Sequence, residues 1–74
     1  MNELVIHLRD ALREELDATN TYDKLLACAP AEIKPIIEEI KQDEINHQGR
    51  LLALILKVDP SQLDYFNKGL EQEE

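Results

Sequence analysis

Three ionisable residues interrupt two otherwise apolar patterns in this 74-residue chain. Between Leu4 and Ala29, the positions Leu4, Leu8, Ala11, Glu15, Ala18, Tyr22, Leu25 and Ala29 recur at alternating spacings of four and three, which places them on one helical face with a carboxylate at its middle. A second face runs through Ile33, Ile37, Ile40, Glu44, His47, Leu51, Leu54 and Val58, with Glu44 and His47 where the pattern asks for Ile or Leu. Burying an unpaired carboxylate costs on the order of several kcal/mol, and two facing carboxylates cost more, so a cation is expected between them. Glu-x-x-His sets a carboxylate and an imidazole one turn apart on the same face, and this mixture of ligands suits iron, manganese or zinc. With one such histidine and no thiolate cluster, a closed structural zinc site is disfavoured. The plainer alternative is a protonated carboxylate pair or a Glu–His ion pair that carries no metal.

The elements that would position these residues are all helical. Glycine is confined to Gly49 and Gly69, and prolines 30, 35 and 60 divide the chain, predicting a first helix over about 2–28, a second over about 32–57 and a short third over about 60–69. Asn2 reads as the first helix's N-cap, and residues 71–74 as an acidic tail. This is a single all-α domain, an antiparallel two-helix hairpin with a short C-terminal helix. Glu15 lies fifteen residues before Pro30 and Glu44 fourteen after it. At ~1.5 Å per residue they reach the same height, with His47 one turn further along. A hairpin cannot close a core alone, and Ile36, Leu52, Ile55 and Leu56 add apolar surface beside the seam. A homodimer or higher homo-oligomer, forming a four-helix bundle, is therefore expected. Two chains would bring together two copies each of Glu15, Glu44 and His47, the ligand count of carboxylate-bridged dimetal bundles.

Composition excludes several classes of partner. Sixteen acidic against eight basic residues give a net charge of −8, which opposes binding to nucleic acid and to anionic membrane. The longest apolar run, LLALIL, falls far short of the ~20 residues of a membrane span. The charged N-terminal stretch MNELVIHLRDALREEL has the character of neither a secretory signal nor a transit peptide. Cys28 has no intrachain partner and reads as a small buried hydrophobe in a reducing compartment, so the expected location is cytoplasmic.

The stretch EELDATNTYDKL, Glu14 to Leu25, followed by a proline turn and DEINH, resembles the half-ferritin pattern of the ferritin-like superfamily, particularly the encapsulated ferritins and the small rubrerythrin-like di-iron proteins. The resemblance extends to about Val58. It implies that Glu15, Glu44 and His47 are iron ligands, one ion per chain in a di-iron site shared between two subunits. It further implies that Tyr22 lies close to the metal as part of the catalytic set, and that the activity is ferroxidase, serving iron storage or detoxification. Thr21 departs from the aromatic residue often found there, and Ile45 and Asn46 from the usual charged pair. The C-terminal NKGLEQEE has no apolar shell-targeting tail, so carriage inside a protein compartment is not expected. The rival readings are a non-catalytic helical oligomeric interaction protein, virus- or plasmid-encoded, with a vestigial or structural metal site, and a metal-dependent oxidoreductase or peroxidase acting on a small substrate.

Overall fold

The computed structural model describes residues 2–72, with side chains from Glu3 onward; the expected Asn2 cap and the last two residues of the acidic tail lie outside that description. Three helices account for it: α1 (Asn2–Cys28), α2 (Lys34–Val58) and α3 (Pro60–Gln72). The architecture is the expected antiparallel hairpin followed by a short third helix. Helix α1 contains no glycine or proline, so nothing in it breaks the hydrogen-bond ladder before Pro30. In the turn, the Pro30 carbonyl accepts the N–H groups of Ile33 and Lys34 at 3.0 and 3.2 Å. Pro35 then falls in the first turn of α2, where its missing N–H would have had no partner.

A single residue joins α2 to α3. Asp59 leaves helical geometry at φ −124° and ψ 82°, while its N–H still reaches the Ile55 carbonyl at 2.8 Å. Its own carbonyl accepts the Gln62 N–H at 3.0 Å, and its carboxylate accepts the Ser61 hydroxyl at 2.6 Å and faces the Arg9 guanidinium at 3.5 Å. Helix α3 continues through Gly69 to Gln72, because a glycine with ordinary negative φ weakens a helix by only about 1 kcal/mol and does not end it.

The hairpin corrects the expected seam. Leu4 and Leu25 on α1, Ile33 just before α2, and Ile40 and Leu54 on α2 are exposed, although the spacing had placed all five in the interface; Cys28, expected to be buried, is exposed at the end of α1. The less exposed residues run through Val5, Leu8, Leu12, Glu15, Thr19, Tyr22 and Leu26 on α1 and Ile37, Lys41, Glu44, Gln48, Leu51, Ile55 and Val58 on α2, with Ala11 and Ala18 of the expected seam, and Leu52 and Leu56, half-buried beside them. The two patterns share their central rows, Leu8, Glu15 and Tyr22 on α1 and Ile37, Glu44 and Leu51 on α2, and differ in the flank. Each helix thus carries an apolar face wide enough for two contacts. Packing within the chain uses one flank and leaves the other open.

The dimensions agree. The chain measures 45 × 33 × 14 Å, so it is one helical layer thick, and its Cα radius of gyration is 15.5 Å. A compact chain of this length would have a radius of roughly 11 Å. Helix α3 packs only on α2, and among the described residues it makes no contact with α1. Among the described residues only Val5 and Ile55 are buried, and none of their helices is long and apolar enough to cross a membrane.

One ion pair clamps the turn end of the hairpin: the Lys41 ammonium donates to Asp23 at 2.6 Å. That hydrogen bond raises the Lys41 pKa above the ordinary 10.5, with partial burial opposing it and the Asp23 and Glu38 charges reinforcing it. A raised lysine pKa stabilises the fold fully below the unfolded value and is lost as pH rises through the folded one. The stability gap between the native chain and Asp23→Asn should therefore hold at about pH 9 and narrow at higher alkalinity, read by urea unfolding across pH. In the same assay Ile55→Ala, at the most buried side chain, should cost about 2–4 kcal/mol.

Candidate metal centre

Glu15 and Glu44 occupy the central rows of their helices, so each points into the groove between α1 and α2. His47 lies on the open flank, one turn beyond Glu44. The antiparallel packing brings one ligand atom from each of the three within 4.8 Å of the others. The His47 Nδ1 lies 3.5 Å from Glu15 Oε1 and 3.9 Å from Glu44 Oε2. Side-chain exposure is 24% for Glu15, 21% for Glu44 and 47% for His47, so the group faces the edge of the hairpin with its imidazole outermost. A hollow lined by Glu15, His47, Arg50, Leu51 and Leu54 opens beside it.

The chemistry of this donor set fits a cation. Glu15 Oε2 is sealed from solvent and has no hydrogen-bond partner, which leaves a lone pair with nothing to accept. Glu44 offers it only another acceptor, and the imidazole is oriented toward Oε1. A metal ion would satisfy all three groups at once, carboxylates and imidazole being ordinary ligands of iron, manganese and zinc.

Tyr22 is partly buried on the same row as Glu15, about 10 Å further along the helix axis and outside the group. Asp43, Glu14, Asp17 and His7 are all exposed. Sequence reasoning passed over Gln48 and Thr19, which form a polar bridge between the helices directly beneath the group. The signal was present: both fall on the second flank of the same faces, Thr19 four residues after Glu15 and Gln48 four residues after Glu44.

With this geometry in hand, similarity to known proteins can be placed. Over 71 residues, 95% of its length, the chain is 34% identical to the "Ferritin-like-encapsulin shell fusion protein" of Pyrococcus furiosus, of which it spans 21%. No protein-family model matches the chain, and no solved structure matches it. An all-helical hairpin with a carboxylate–imidazole group at mid-height is consistent with a ferritin-like relationship.

Because Glu15 leaves an acceptor buried without a partner, Glu15→Leu should stabilise the metal-free chain at neutral pH by about 1–3 kcal/mol. Urea unfolding in the presence of a chelator measures this. A loss of stability would mean that the carboxylate is satisfied without metal.

Proposed function

We propose that this chain is a ferritin-like protein that binds and oxidises Fe(II) at a site shared between two copies of itself, residues 1–74 acting as one domain. The observation that carries the reading is the convergence of Glu15, Glu44 and His47 around a buried, unpartnered carboxylate oxygen at the open side of the hairpin. Each chain brings two carboxylates and one imidazole. A twofold pair brings four carboxylates, whose charge balances two divalent ions, and two imidazoles, one for each. The flank that would meet the second copy carries Leu4, Leu25, Ile40 and Leu54, all exposed in the single chain. Apolar cover and the missing ligands would come from the same partner.

Fe(II) is the substrate, each ion giving one electron to dioxygen. Glu15 and Glu44 would hold the ions in both oxidation states, hard anionic oxygens favouring the Fe(III) product. His47 would supply one nitrogen per ion. Tyr22, on the Glu15 row, is assigned to the surroundings of the site, hydrogen-bonding a ligand or quenching a radical. Manganese and zinc would compete for the same donors. The relative in P. furiosus is described as a fusion with a shell, so association with a shell would not depend on the apolar tail sought after Gly69.

Anaerobic titration should show uptake of about one Fe(II) per chain, half of a two-ion site, and an Fe(III) absorption band on admitting air. Glu44→Ala should abolish both. Ile40→Glu, which alters no ligand but charges the open flank, should halve the mass seen by native mass spectrometry and lose uptake with it. Stoichiometric uptake by a lone chain would sink the shared site, and no uptake at all would leave a helical interaction protein.

A further inference from the structure

One residue past His47, Gln48 reaches across the groove to α1. Its side-chain amide donates to the Glu15 backbone carbonyl at 3.2 Å and to the Thr19 hydroxyl at 2.5 Å. The Thr19 hydroxyl donates in turn to the same Glu15 carbonyl at 3.0 Å. Because a carbonyl only accepts, the nitrogen of the amide must be the end that faces α1. The two Gln48 bonds are part-buried and run between the helices, and the network ends on the backbone of Glu15, whose carboxylate enters the carboxylate–imidazole group.

Apolar packing alone leaves this hairpin underdetermined. Burial of Leu, Ile and Val is non-directional, and the faces offer two flanks at the same spacing. Rolling α2 by one residue position, about 100°, would exchange the Lys41, Gln48 and Ile55 flank for the Ile40, His47 and Leu54 flank. Such a roll would bury more apolar surface at one position, where Ile40 would replace Lys41, with His47 taking the place of Gln48 and Leu54 that of Ile55. It would also strip Gln48 of both acceptors and turn His47 inward, away from any second chain. Hydrogen bonds, unlike apolar contacts, discriminate between the two arrangements.

We propose that Gln48 and Thr19 are positioning residues that fix the height and rotation of α2 against α1, so that Glu15 meets Glu44 while His47 stays on the open flank. The inference rests on the reading of Glu15, Glu44 and His47 as metal ligands. The pair touches no ion itself. It acts through the Glu15 peptide and through the one-residue offset between Gln48 and His47.

Co(II) is a suitable probe, because its visible bands report ligand geometry and it is stable in air. Gln48→Leu and Thr19→Val should retain helix content by circular dichroism and native mass, yet bind Co(II) about 10–100-fold more weakly and with altered bands. The double variant should lose little more than the weaker single one. Thr19→Ser keeps the hydroxyl and should bind as the native chain does. Native-like affinity in Gln48→Leu, or a loss in Thr19→Ser equal to that in Thr19→Val, would overturn the proposal, the latter because it would point to side-chain volume. Should Gln48→Leu fail to fold, Gln48→Met takes its place. If the native chain binds no Co(II), the metal reading falls, and urea unfolding of the metal-free variants decides the lock. Non-additive losses for Gln48→Leu and Thr19→Val support it, and additive ones reject it.

Discussion

A carboxylate oxygen held out of water with nothing to donate to it is the constraint around which this small structure is arranged. Glu15 Oε2 occupies that position at mid-height on the hairpin, and its two ionisable neighbours do not relieve it. The charge of Glu44 adds to the problem, and a single imidazole at 3.5 Å from the other oxygen is a weak answer. Polar groups in such surroundings cost more than the isolated chain recovers from them. Their presence makes physical sense where a cation, and the second chain needed to enclose it, complete the set.

Incompleteness in the site is matched by incompleteness in the core. A layer 14 Å thick, with two buried side chains among the described residues, cannot account for the stability of a long hairpin by its own apolar burial. Much of the apolar surface the helices carry lies on the unused flank, beside His47. The uncovered apolar flank and the outermost member of the carboxylate–imidazole group therefore share one surface. Helix α3, set apart from α1 and exposing Leu63, Phe66 and Leu70, extends the pattern of apolar area left uncovered within one chain.

Polar residues on the inner flank have a different part. Lys41 and Gln48 stand where Ile or Leu would bury more area, and each is tied across the groove, one to Asp23 and the other to Thr19 and the Glu15 backbone. Such contacts add little net stability in partly wet surroundings. Their contribution is to select one packing among several that apolar contact would accept. For three ionisable side chains from two helices to meet at one height, that selection matters more than a small gain in burial.

The sequence by itself determined the helices, their order and the height of the three ionisable residues. Proline and glycine placement and a spacing of three and four are local properties, and fifteen residues before a proline turn must lie opposite fourteen after it. It also identified Glu15, Glu44 and His47, because ionisable residues on an apolar face are conspicuous in one dimension. The rotation of each helix was decided only by the tertiary structure. Rows at 8, 15 and 22 and at 37, 44 and 51 belong to both flanks, so periodicity could not tell whether 4, 11, 18 and 25 or 5, 12, 19 and 26 would face the partner helix. Hydrogen bonds from Gln48 to Thr19 and to the Glu15 carbonyl, together with the Lys41 to Asp23 pair, favour the second set, and bonds of this kind exist only once the two helices lie side by side.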